Sequence, residues 1–177
     1  MNASLSHSLR GFSLIEAITV VGIVGILAAG VAPAMRSQTS LRQAAAVAET
    51  SRLLRMARAC AMATSEPTAV QISVADQTIR LVTSPQPGQG VTALADPFGE
   101  ARETVVIGER FPGARIESVV DGSGGGADPV TLWFSHAGEP QIRQGNGALV
   151  GASAQDATIR FQSGETLVVR AVSGVIE

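Results

Sequence analysis

Lysine and tyrosine are absent from this chain of 177 residues, and cysteine occurs once. Cys60 alone cannot close an intramolecular disulfide, so an oxidising compartment is neither required nor excluded. It lies in Ala57-Arg58-Ala59-Cys60-Ala61-Met62, where a lone cysteine reads as a small buried hydrophobe, with a reactive thiol as the other reading. Histidine is almost as scarce. Beyond the first residues only His136 remains, and one histidine with one cysteine is too few for most zinc sites. His136 in Phe134-Ser135-His136-Ala137-Gly138 reads as a turn residue. No Gly-x-Ser-x-Gly elbow, Walker loop or paired-cysteine motif occurs. Asp121-Gly122-Ser123-Gly124-Gly125-Gly126-Ala127-Asp128 hints at a calcium loop. It lacks acids at the third and fifth positions that an EF-hand needs, and reads as a flexible surface loop. The expectation is a protein without catalytic residues, cofactor or metal.

What is present divides sharply along the chain. All 13 basic residues are arginine, and the net charge is −2. Between Ala34 and Ala63 five arginines face one acid, Glu49. From Thr64 onward seven arginines face thirteen acids. An acidic C-terminal region argues against a general grip on nucleic acid, which needs clustered positive charge to neutralise phosphates. The mean hydropathy of +0.26 is high, and the first third of the chain accounts for it.

Ala17 to Met35 is an uncharged, largely apolar run of nineteen residues. As a helix it is about 30 Å long, enough to cross a bilayer core. Just before it, inside the apolar sequence that starts at Phe12, stands Glu16. A carboxylate in a membrane span costs roughly 2.5–3.5 kcal/mol by insertion scales, so a chain that carries one has a use for it. A removable secretory signal is one reading, with Ala32-Pro33-Ala34 as its cleavage site. Glu16 and the length of the run count against it, as does the helical pattern that continues beyond, through Leu41, Ala45, Ala48, Leu53, Met56 and Cys60. Arg10 places the N-terminus in the cytoplasm by the positive-inside rule, but the five arginines that follow the run weaken that inference.

Gly11-Phe12-Ser13-Leu14-Ile15-Glu16, followed by about twenty apolar residues, resembles the processing motif of type IV prepilins and pseudopilins. The resemblance implies cleavage between Gly11 and Phe12 by a membrane-embedded prepilin peptidase, then N-methylation of Phe12. It implies that Glu16 becomes the fifth residue of the mature chain, where the family places glutamate. A glycine before the cut lets the backbone extend into a cleft without a Cβ clash. The new amine at Phe12 offers Glu16 of a neighbouring subunit a counter-charge, and a buried pair of this kind sets register more than it adds stability. Snorkelling of Glu16 at the membrane interface is the simpler alternative. Gly25 and Pro33 fall where pilins carry helix-loosening residues. Pro33 lacks an N–H and predicts either a kink or local unwinding.

The expected organisation is a leader over residues 1–11, a transmembrane helix over 12–35, an amphipathic helix over 36–65 and a periplasmic β-rich head over 66–177. Leu41, Ala44, Ala45, Val47, Ala48, Leu54, Ala57 and Ala61 form a stripe near helical spacing that predicts the face packed on the head. Arg36, Arg42, Arg52, Arg55 and Arg58 are expected to point elsewhere. Glu66-Pro67 ends the helix. Val70, Ile72 and Val74 alternate with polar residues and predict a strand, turned at 75–77 into a second at Ile79–Val82. Residues 84–102 read as a loop. Further strands are expected at Thr104–Ile107, Arg115–Val120, Val130–Phe134, Gln141–Arg143, Thr158–Phe161 and Thr166–Ala171, with a short one at Gly174–Ile176. The fold class is α+β, one long N-terminal helix packed on a small antiparallel β-sandwich head.

Leu54, Ala57, Arg58 and Ala61 sit close to a Leu-x-x-Ala-Arg-x-x-Ala helix end, and with Pro67-Thr68-Ala69-Val70-Gln71-Ile72 they resemble the GspH/FimT branch of the pilin-like superfamily. That resemblance implies a minor pseudopilin near the tip of a type II secretion pseudopilus, which helps to export folded proteins. It leaves open a minor type IV pilin acting in pilus priming, adhesion or DNA uptake. Implied partners are the prepilin peptidase/methyltransferase, other pseudopilins or pilins, and the bacterial inner membrane, crossed once with the head in the periplasm. DNA-uptake members carry a Gly-Arg-x-Arg motif near the C-terminus. Here Ser173-Gly174-Val175-Ile176-Glu177 has no arginine, so nucleic acid is not an expected partner.

Overall fold

A computed structural model describes residues 13–86, 88, 90–95 and 104–177, without the side chains of 28–37. The chain divides between Gln38 and Thr39 into two compact units.

Helix α1 runs from Leu14 to Thr64. It opens on Ser13, whose carbonyl accepts the amides of Glu16 and Ala17 at 3.0 and 3.1 Å. The helix closes where Ser65 turns to φ 60, before Pro67, which cannot continue it. The Thr64 hydroxyl seals this end, donating to the Cys60 carbonyl and accepting the Glu66 amide.

In the second unit α1 buries Ala46, Thr50, Leu53, Leu54, Ala57 and Ala61. Steps of three and four residues place these on one face. The expected stripe is therefore corrected in its first half, since Leu41 is 69% exposed and Ala44, Ala45 and Ala48 are exposed as well. Composition concealed the true path because it passes through a polar residue. Thr50 is buried at no polar cost, as its hydroxyl donates to the Ala46 carbonyl at 2.8 Å.

The head carries two antiparallel sheets. The strands are β1 (Thr68–Ser73), β2 (Thr78–Thr83), β3 (Thr92–Ala93), β4 (Val105–Val106), β5 (Ile116–Val120), β6 (Val130–Phe134), β7 (Pro140–Arg143), β8 (Leu149–Ala152), β9 (Ala157–Phe161) and β10 (Thr166–Val169). The larger sheet has the order β3-β2-β1-β6-β7-β8, with β4 also on β2, and the smaller has the order β10-β9-β5. β1 is central, pairing Val70 with Leu81 of β2 and with Leu132 of β6. Its alternation sends Val70 and Ile72 into the main core and Ala69 to the opposite face, where Val82 and Trp133 also lie.

That main core joins Leu53, Leu54, Ala57 and Ala61 of the helix to Ile72 and Phe134 of one sheet and Ile159 and Phe161 of the other. Full burial of a leucine such as Leu54 contributes about 1.5–3 kcal/mol. Polar clamps fix the turns around this core. Asp128 accepts the amides of Val74 and Ala75 in the β1–β2 turn. Gln77 bridges that turn to β5 through the Ile116 amide and carbonyl.

The remaining departures from the expected strands are local. Ile107 does not extend β4 but begins a one-turn helix, α2 (Ile107–Arg110), and is itself fully buried. β10 stops at Val169, and from the expected Gly174–Ile176 strand only Ile176 pairs, with Val169. β3 lies inside the expected loop, and β8 was not anticipated.

Candidate functional site: an unpartnered helix and a head groove

Two regions carry features that the fold alone does not require. The first is the start of α1. Leu14 is 80% exposed and Ile26 77%, and Ile15, Ile18, Val20, Val21, Ile23, Val24 and Leu27 are all exposed. Their positions go round the whole helix, so no face is left polar. Thr19 spends its hydroxyl on the Ile15 carbonyl at 2.7 Å, which removes even that polar group from competition. Glu16 lies in the first turn, exposed, without a hydrogen-bond or ion-pair partner for its carboxylate among the described residues. A Cβ added at Gly22 or Gly25 would meet nothing within 4 Å. No helix among the described residues is long and apolar enough to cross a membrane. The side chains of the apolar run are described only as far as Leu27. Gly11 and Phe12 lie outside the described residues, as does the Pro33 side chain.

The second unit accounts for the arginines differently from expectation. Arg42 and Arg55 are exposed, and Arg52 pairs with Glu49 at 2.8 Å. Arg58 does not point away. Its Nε donates to the Gly138 carbonyl at 3.1 Å and its Nη2 to the Ser173 carbonyl at 2.9 Å, tying the helix to two turns of the head. Gly174, at φ 63, must be glycine here, because a Cβ would run into the Gly138 carbonyl. Arg170 is held by Asp156 and Glu177 at 2.9 and 2.8 Å. Asp121 Oδ1 accepts from the Ser123 amide and hydroxyl and the Gly125 amide, so this carboxylate shapes its own turn. His136 is exposed in the β6–β7 turn.

The second region was missed by sequence reasoning. On the outer face of the larger sheet Trp133 is only 2% exposed, and its indole Nε1–H is buried without an acceptor among the described residues. The Arg143 guanidinium lies over the ring, with Cζ 5.7 Å from its centroid. At that distance cation–π attraction holds the pair together. The available signal was alternation: Thr131 and Trp133 share one face of β6, and Gln141 and Arg143 share one face of β7. The Trp133↔Gln141 register that joins them depends on long-range pairing.

No family model and no curated protein matches the chain. Among solved structures, the chain is similar to the minor pseudopilin EpsH from the Type 2 Secretion System of Vibrio cholerae. The TM-score is 0.51 at 11% identity, covering 77% of this chain and 94% of that one. Likeness at this identity is likeness of fold: an N-terminal helix packed on an antiparallel sheet, the α+β architecture of that pseudopilin.

Proposed function

We propose that the chain is a minor pseudopilin, a structural subunit of the pseudopilus tip of a type II secretion system that helps to export folded proteins. The observation that carries this reading is the contrast within one helix. Its start is apolar around the whole circumference with one acid in the first turn, and its end is buried in a head of pseudopilin-like fold. An apolar surface of that extent needs lipid or neighbouring helices to cover it. Glu16 needs a counter-charge there.

In this reading the prepilin peptidase cuts between Gly11 and Phe12 and the new Phe12 amine is methylated. The chain waits in the inner membrane, N-terminus cytoplasmic and head periplasmic. On entry into the filament, Glu16 meets the Phe12 amine of a neighbouring pseudopilin. Support for the processing step comes from the sequence Gly11-Phe12-Ser13-Leu14-Ile15-Glu16.

Mass spectrometry of the membrane-extracted protein tests this. The expected result is loss of residues 1–11 and one methyl group on Phe12. Cleavage after Ala34 would remove the anchor and overturn the proposal. Deleting the gene separates the two filament types. Loss of protein export with pili intact supports the pseudopilin, whereas loss of pili with export intact identifies a minor type IV pilin. Within that second reading DNA uptake is disfavoured, because from Thr64 onward seven arginines face thirteen acids.

A further inference from the structure

Arg143 is a half-buried cation matched only by neutral oxygens. Its Nε and Nη2 donate to the Gln141 Oε1 at 3.1 and 3.0 Å, and its Nη1 donates to the Gly147 carbonyl at 2.7 Å. It forms no ion pair among the described residues, unlike Arg52 and Arg170. Burial pulls its pKa below the ordinary arginine value. A guanidinium has five N–H donors, and three hydrogen bonds leave two of them over, one on each terminal nitrogen.

These donors belong to a residue that lines a cavity of ≈ 260 Å³ on the outer face of the larger sheet. Its apolar walls come from Val91, Pro129 and Trp133, and its polar ones from Gln71 and Gln144. Asp121 also borders it, with Oδ1 already taken up by its own turn. The cavity therefore combines a fixed cation without an ion pair among the described residues, amide side chains that both donate and accept, and the aromatic wall of Trp133, with the Asp121 carboxylate at its border.

We propose that this cavity is a binding site for a carboxylate carried next to an apolar group. A carboxylate supplies the charge that Arg143 lacks, in the planar form that a guanidinium binds best. The apolar neighbour takes the Val91–Pro129–Trp133 wall. The site requires nothing of the N-terminal helix, so it stands or falls independently of the assembly role. The carboxylate has two sources of one chemistry, an acidic side chain on a protein segment or a small free carboxylic acid.

Trp133 is the single tryptophan of the chain, so its fluorescence reports directly on the cavity. The full-length protein in detergent micelles is titrated with three probes: capped Leu-Glu-Leu peptide, the capped Leu-Gln-Leu peptide, and 4-methylpentanoate. A saturable emission change is expected with the glutamate peptide or the free acid, about tenfold weaker with the glutamine peptide. An Arg143→Gln variant should weaken acid binding by about tenfold too, the loss of one charged hydrogen-bonded contact. Preference for the glutamate peptide identifies a protein segment as ligand; preference for 4-methylpentanoate identifies a small acid. Near-UV circular dichroism checks the fold of Arg143→Gln. If that variant unfolds, the acid-against-amide comparison on the unaltered protein decides alone, with 4-methylpentanamide as the neutral counterpart of the free acid. Equal saturable binding of the two peptides, unchanged affinity for the bound acid in a folded Arg143→Gln, or no saturable response to either acid would overturn the proposal.

Discussion

The two ends of α1 share a secondary structure and little else. Near its start, leucine, isoleucine and valine side chains cover every face and stay exposed. Near its end the large apolar side chains are fewer, alanine does much of the filling, and one stripe is buried to 0–4%. The lesson is that apolar content does not say where a helix is buried within its own chain. The head accepts a stretch whose small residues allow close approach. Stability of the head and, on the proposed role, capacity for assembly belong to different stretches of one element.

Substitutions can break that division. On the proposed assembly role, Glu16→Ala should abolish most incorporation into filaments, read by shearing and immunoblotting, while head stability is unchanged. Normal incorporation would remove the charge-pair role. Leu54→Ala should cost the head about 3 kcal/mol, through lost transfer energy and the cavity left behind. Ile23→Ala should change it negligibly. Denaturant unfolding followed through Trp133 fluorescence compares the two, and equal losses would erase the distinction. Arg58→Ala should cost about 2 kcal/mol in the same assay, because two carbonyls lose a charged donor.

Acid should act on the head through Asp128, whose carboxyl is held below its usual range by the amides of Ala75 and Val74, and then by Ser73. A depressed folded pKa contributes stability that is present above the unfolded value of about 3.9 and is lost as pH falls through the folded value. Asp128→Asn should therefore flatten the acid limb of the stability profile, by a small amount at this exposed position. The smallest effect is expected from Arg170→Gln, since exposed ion pairs contribute little, and its unfolding midpoint should be unchanged.

Much of the fold was legible because local signals were strong. Val70, Ile72 and Val74 alternating with Gln71 and Ser73 point to β1, which ends at Ser73, and the turn at residues 75–77 returns the chain as β2. β5, β6 and β9 stand where β-branched and aromatic residues cluster. β8 escaped because Leu149-Val150-Gly151-Ala152 shows no alternation, and both of its large side chains are exposed. Its identity as a strand comes from pairing with β7 and not from its own residues. The helix stripe was displaced because Thr50 hid a buried position behind a polar side chain. For the candidate sites the split is similar. Glu16 and its surroundings announce themselves in one contiguous segment. The Trp133–Arg143 pair is assembled from two strands, and Gly147 and Gln141, which hold it, are ordinary turn and strand residues in the sequence.

Arg58 also constrains the order in which the head is completed. Its two acceptors lie 80 and 115 residues further along the chain. Contacts of such separation require long loops to close before the contact rewards the chain. A chain made from its N-terminus therefore presents the helix long before the residues that fasten it, and Ser173 follows β10. Loss of the turn around Ser173 would remove one of these two fastenings and leave the helix held by the Gly138 carbonyl and by the burial of Leu53 and Leu54.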